Sequence, residues 1–149
     1  MFSYNKLFTA LFLCISILPS AKITFAEVIQ IEFTKYDTYS KEILHIVVGD
    51  TVEWLPTNKG HNIEFIMSPQ MDSLPKKSKM NEYYSMIFEE PGIYVYGCTP
   101  HLNTGMLGII VVDNDFHNIE YINEIYLSPV AHSVLKGLVV KAKSMSETN

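Results

Sequence analysis

The chain has 149 residues, 48% of them hydrophobic, which suits one folded domain of ordinary size and argues against wholesale disorder. It carries a formal charge of −5 and contains no arginine, so it lacks the cationic footprint and bidentate guanidinium groups of a nucleic-acid binder.

Met1 to Lys6 form a short positive stretch, and Leu7 to Leu18 are a nearly unbroken apolar run. Thr24-Phe25-Ala26 then supplies the small-x-Ala pattern of a signal-peptidase site. Residues 1–26 are therefore expected to be a cleaved secretory signal, the apolar run being too short for a comfortable membrane span. Cleavage after Ala26 leaves 123 residues and, by removing Lys6 and Lys22, takes the charge to −7. It also removes Cys14, so Cys98 is left without an internal disulfide partner in an oxidising compartment. Such a thiol must be buried, pair with another chain, or act as a ligand.

From Val28 to Val112 the pattern is one of short strands with turn punctuation. Ile29, Ile31 and Phe33 alternate with Gln30, Glu32 and Thr34, the period of a half-buried strand. A dense apolar run, Ile43 to Val48, stops at Gly49-Asp50; Thr51 to Leu55 follows and ends at Pro56. His61, Ile63 and Phe65 share a face at the opening of a further strand. Tyr84 to Phe88, Ile93 to Gly97 and Leu107 to Val112 complete the series. This spacing predicts a β-sandwich over residues 27–113. Beyond Asp113 the texture becomes helical. Ile119, Ile122 and Tyr126 fit one short helix with Asn114 or Asp115 as cap. Ser128-Pro129 opens a second, with Ala131, Leu135, Leu138, Val139 and Ala142 at helical spacing. Residues 114–149 are expected to form a two-helix extension packed on the sandwich.

Between two of the expected strands lies Cys98-Thr99-Pro100-His101-Leu102-Asn103-Thr104-Gly105-Met106, which puts a thiolate, an imidazole and a thioether on one tight loop. Gly60-His61-Asn62 offers a second imidazole far upstream, and loops at one end of a sandwich converge. Two His and one Cys in a plane with a weak axial Met describe a blue-copper site. Zinc would want further Cys, His or carboxylate, and calcium or magnesium would want oxygen. His61, Cys98, His101 and Met106 are accordingly the expected ligands of one copper ion that cycles between Cu(I) and Cu(II). Asn62 and Thr99 are placed to tie the two ligand segments together. Pro100, lacking an N–H, cannot donate to the sulfur. His45, His117 and His132 are not made ligands. A diffusible one-electron carrier outside the cytoplasm is the leading expectation, and a copper chaperone or storage protein is the alternative. No acid–base constellation for an enzyme stands out.

The stretches Val48-Gly49-Asp50-Thr51-Val52, Pro56-Thr57-Asn58-Lys59-Gly60-His61-Asn62, Lys77-Ser78-Lys79-Met80-Asn81-Glu82, Pro91-Gly92-Ile93-Tyr94 and Cys98-Thr99-Pro100-His101 resemble the cupredoxins, and within them the pseudoazurin group. The resemblance implies an eight-stranded Greek-key sandwich in the bacterial periplasm, a monomer without stable membrane association. It also implies delivery of electrons to reductases such as copper nitrite reductase. Partner docking would use an apolar patch around the exposed edge of His101, with Leu102, ringed by lysines at the positions of Lys59, Lys77 and Lys79. A lysine commonly precedes the cysteine in that group; here the position is Gly97.

Overall fold

The computed structural model describes residues 25–148, so nearly all of the expected signal segment lies outside the described residues. Strands β1 (Val28–Glu32), β3 (Thr51–Leu55) and β5 (Tyr84–Ile87) form one sheet in the order β1-β3-β5. Strands β2 (Ile43–Ile46), β4 (Glu64–Met67), β6 (Gly92–Gly97) and β7 (Leu107–Val112) form the other, in the order β2-β7-β6-β4. The β1–β3 and β2–β7 pairs are parallel, so the chain crosses between sheets rather than folding back as hairpins, the Greek-key arrangement of a sandwich. Seven strands are continuous among the described residues, and an isolated antiparallel bridge joins Phe33 to Tyr39 just beyond β1.

Alternation along the strands divides the interior in two. Tyr94, Tyr96, Ile110 and Val112 face the other sheet, where they join Ile31, Phe33, Val52, Trp54, Phe65 and Phe88. Ile93, Val95, Leu107, Ile109 and Val111 point to the opposite side of the same sheet. There they meet Ala131, Leu135, Leu138 and Ala142 of helix α1 (Pro129–Ser146). β6 and β7 are thus buried on both faces, which is why they read as dense apolar runs.

Local hydrogen bonds explain where elements begin and end. The run expected to reach Val48 stops at Ile46, because the Val47 N–H donates to Asp50 Oδ2 (2.9 Å) and the Val48 N–H to Asp113 Oδ1 (3.0 Å). The strand expected to open at His61 starts at Glu64. The backbone of 61–63 is engaged elsewhere: Asn81 N–H donates to His61 O (2.8 Å), and Ser78 N–H to Ile63 O (2.9 Å). In the tail, Asp113 and Asn114 take left-handed conformations and turn the chain, so neither Asn114 nor Asp115 caps a helix. The first helical piece is a 3₁₀ segment, Ile119–Glu124, preceded by Asn118. The Asn118 side chain bonds the N–H and C=O of Ile93 instead (2.8 and 2.9 Å), welding the tail to β6. The second piece, α1, is a full 18-residue helix with Ser128 as N-cap and Pro129 in its first turn.

Candidate metal centre

Cys98 leaves β6 and enters a 3₁₀ turn, Thr99–Thr104, with Pro100 in its first turn. Gly105, at φ 100, reverses the chain into Met106 and β7. The loop closes on itself: Cys98 N–H donates to Met106 O (3.2 Å), Met106 N–H to His101 O (3.1 Å), and His101 N–H to Cys98 O (2.9 Å). Cys98 and Met106 are buried in the inter-sheet core, and His101 is half-buried at its rim.

The second segment is locked to this loop by Asn62, itself 3% exposed. Its Oδ1 accepts from the Thr99 N–H (2.8 Å), and its Nδ2 donates to Thr99 Oγ1 (2.9 Å). Thr99 Oγ1 in turn donates to Glu64 (2.6 Å), which Lys77 Nζ approaches at 3.4 Å. These bonds bring His61, which is 2% exposed, against the loop, with the Phe33 ring edge-on to its imidazole at 5.6 Å.

Among the described residues His61, Cys98 and His101 converge as a potential metal-binding trio. His61 Nδ1 and His101 Nδ1 are 3.2 Å apart, and Cys98 Sγ lies 3.6 and 3.5 Å from them. The centre of so regular a triangle is about 2.0 Å from each corner, close to the distances of metal–imidazole and metal–thiolate bonds. Burial and the neighbouring His101 hold the His61 imidazole below its usual pKa, while Asp37 pulls the other way. His61 therefore favours the neutral, metal-binding form. Burial pushes the Cys98 thiol up, opposed by hydrogen bonds from the backbone of Asn62 and His101. A soft sulfur and two imidazole nitrogens in one triangle, with the buried thioether of Met106 at the end of the same loop, fit copper.

The outlying positions divide. Lys59 is exposed, Lys77 pairs with Glu64 and Lys79 with Glu82 (3.6 Å), so two of the three lysines meet acids of this same chain. Leu102 is half-buried and lies over Gly97, where a Cβ would overlap its Cδ1 and come within 3.0 Å of Met106 O. A side chain before the cysteine would have to displace that leucine or press on the Met106 carbonyl. His45, His117 and His132 do not join the trio. Two carboxylates were not anticipated. Glu64 fastens the Asn62–Thr99 link, and its place three residues beyond His61 was the available signal. Asp37, whose Oδ1 is 3.6 Å from His61 Nε2, sits in a turn that no local spacing connects to the site.

The family model for copper binding proteins of the plastocyanin/azurin family matches residues 27–113. The chain is 38% identical over 73 residues to the pseudoazurin of Paracoccus pantotrophus, covering 48% of this chain and 50% of that one. It is 35% identical over 108 residues to the plastocyanin of Prochlorothrix hollandica, covering 66% and 82%. The chain spans about half the length of the curated pseudoazurins it matches. Among solved structures, a pseudoazurin from Sinorhizobium meliloti superposes with a TM-score of 0.71 at 26% identity, over 79% of this chain and 98% of the other. With the family's model spanning the sandwich and a soft donor triangle at its end, this chain belongs to the copper-binding proteins of the plastocyanin/azurin family.

Proposed function

We propose that this protein is a blue-copper carrier of single electrons, similar in role to pseudoazurin, in which His61, Cys98 and His101 would hold the copper and Met106 would supply a fourth, weaker sulfur donor. The observation that carries this reading is the triangle of two imidazole nitrogens and one thiol sulfur with edges of 3.2 to 3.6 Å. Copper bound there supplies a Cu(II)/Cu(I) couple. The chain's own residues do the rest. The Asn62–Thr99 bonds hold the two segments in one arrangement, so little need move when the charge at the site changes. The buried His61 and Cys98 exclude water, and the half-buried His101 leaves an edge through which a partner can couple.

Loading with Cu(II) should give an intense visible absorption that reductant bleaches. Cys98→Ser should abolish the colour, whereas Met106→Leu should keep much of it and shift the potential. A colourless protein with bound Cu(II) would overturn the reading. Burial of two ligands disfavours the chaperone alternative, which needs easy exchange; rapid loss of Cu(I) to a weak chelator would restore it.

The signal-like segment and the relatives support a periplasmic site of action, with a periplasmic redox enzyme as acceptor. Copper nitrite reductase is one such acceptor, and stopped-flow reoxidation of the reduced protein by purified reductases tests it. Docking through Leu102 and the His101 edge with Lys59, Lys77 and Lys79 as ring predicts a rate that falls as salt rises. Because Glu64 and Glu82 already pair with Lys77 and Lys79, the fall should be shallow, and Glu64→Gln should steepen it.

A further inference from the structure

His61 has two ring nitrogens, and they face different surroundings. Nδ1 looks towards Cys98 and His101, at 3.6 and 3.2 Å. Nε2 looks the other way, to Asp37 Oδ1 at 3.6 Å, an ion-pair distance rather than a closed hydrogen bond. Asp37 is the acid that meets either imidazole of the trio among the described residues.

The turn that presents this carboxylate is built rather than loose. Asp37 adopts φ 54, a left-handed conformation that few side chains tolerate and that aspartate and asparagine accept most readily. Thr34 N–H donates to Thr38 O (2.9 Å), the two threonine hydroxyls bond each other (2.7 Å), and Tyr36 N–H donates to Thr34 Oγ1 (3.2 Å). Both flanks of the turn then pack on the segment carrying His61. The Phe33 ring meets its imidazole, and the Tyr39 hydroxyl donates to Asn62 O (3.4 Å). Strained backbone fixed from both sides, with its side chain on a buried ligand, is the pattern of a functional constraint.

We propose that Asp37 is a positioning residue for the copper site, whose negative charge behind Nε2 of His61 makes that imidazole a stronger donor and favours Cu(II) over Cu(I). This rests on the copper-site reading above. The physical basis is twofold. A negative charge beside the outer nitrogen of a ligating histidine favours the tautomer that carries its proton on Nε2 and turns the Nδ1 lone pair to the metal, and raises its basicity. A fixed negative charge also stabilises the more positive of two states. Asp37 is 57% exposed, so water screens part of this, and the effect belongs at the low end of the tenfold to hundredfold range for such partners.

The test uses the full chain loaded with copper, at one neutral pH, with the midpoint potential as readout. Asp37→Asn keeps the side-chain shape, an acceptor oxygen and tolerance of the left-handed turn, and loses only the charge. Asp37→Gly relieves the turn and removes the side chain. Glu120→Gln takes the same charge from the 3₁₀ segment of the tail. Both Asp37 variants should lose about tenfold in preference for Cu(II), a rise of about 59 mV for a one-electron couple. Glu120→Gln should stay at the wild-type value. An Asp37→Asn protein with the visible band intact and a wild-type potential overturns the proposal and leaves the copper reading standing. Absence of the band in the wild-type protein instead strikes the copper reading itself.

Discussion

Asn62 makes a strong claim on the site without being a donor to it. Its amide bonds Thr99 twice, at 2.8 and 2.9 Å, from a position buried to 3% exposure. Asn62→Ala removes both bonds and leaves the Thr99 N–H without its partner, so a loss of about 1–3 kcal/mol is expected in denaturant titrations of the metal-free chain. Copper should also leave the variant faster, since the two donor segments are no longer tied; an unchanged midpoint and release rate would dismiss the link. Gly97 makes the complementary case. Alanine there has to displace Leu102 or press on the Met106 carbonyl, and should disturb the visible spectrum as well as stability. At this scale the sequence was legible where chemistry is concentrated. Cys98, His101 and Met106 share one loop, and Asn62 neighbours His61. Asp37 was not, because a carboxylate's relation to a site through a distant turn leaves no local spacing to read.

The elements that hold the loop come from its far side. Ser128 Oγ accepts from Ala131 N–H as the N-cap of α1 (3.1 Å) and donates to Asn103 O in the ligand loop (2.6 Å). Ser128→Ala should therefore cost more than the roughly 1 kcal/mol of an ordinary cap, because the Asn103 carbonyl loses its hydroxyl donor in the same step. Gly105 shows the same coupling through packing. It holds φ 100, and an added Cβ would come within 2.9 Å of Val134 Cγ2, so Gly105→Ala should both strain the turn and push α1 off the loop. Gly105→Ala combined with Val134→Ala separates the two effects: recovery of stability measures the steric part, and the remainder is backbone strain. Helix α1 was legible because Ser128-Pro129 and the spacing of Ala131, Leu135, Leu138 and Ala142 state it locally. The 3₁₀ form of the Ile119 segment, its start at Asn118, and the late start of β4 were not. These are decided by partners distant in sequence, Asn118 on Ile93 and residues 78–81 on 61–63.

Taken whole, the molecule buries the phenols of Tyr39, Tyr94 and Tyr96, and that sets its behaviour in alkali. Tyr94 is 4% exposed, and burial, with the charges of Glu90 and Glu89 adding to it, raises its pKa from 10.0 to about 12. Its hydroxyl donates to Glu90 O (3.2 Å), a bond that only the neutral phenol can make. Burial pushes Tyr39, Tyr84 and Tyr96 upward as well. In the unfolded chain a tyrosine ionises near pH 10, whereas the folded chain holds these rings neutral. Because the folded pKa is raised, the contribution is fully present below pH 10 and is lost as pH climbs from 10 through about 12. The expected result is a urea midpoint, followed by the fluorescence of the single Trp54, that is level up to about pH 9 and falls steeply beyond it. The acidic net charge pushes the same way, so Tyr94→Phe supplies the control that isolates the phenol. That variant gives up the bond to Glu90 at every pH, yet its midpoint should decline less steeply between about pH 9 and 11, narrowing its deficit against wild type. A parallel decline in both proteins would assign the alkaline loss to general charge repulsion and remove Tyr94 from the account.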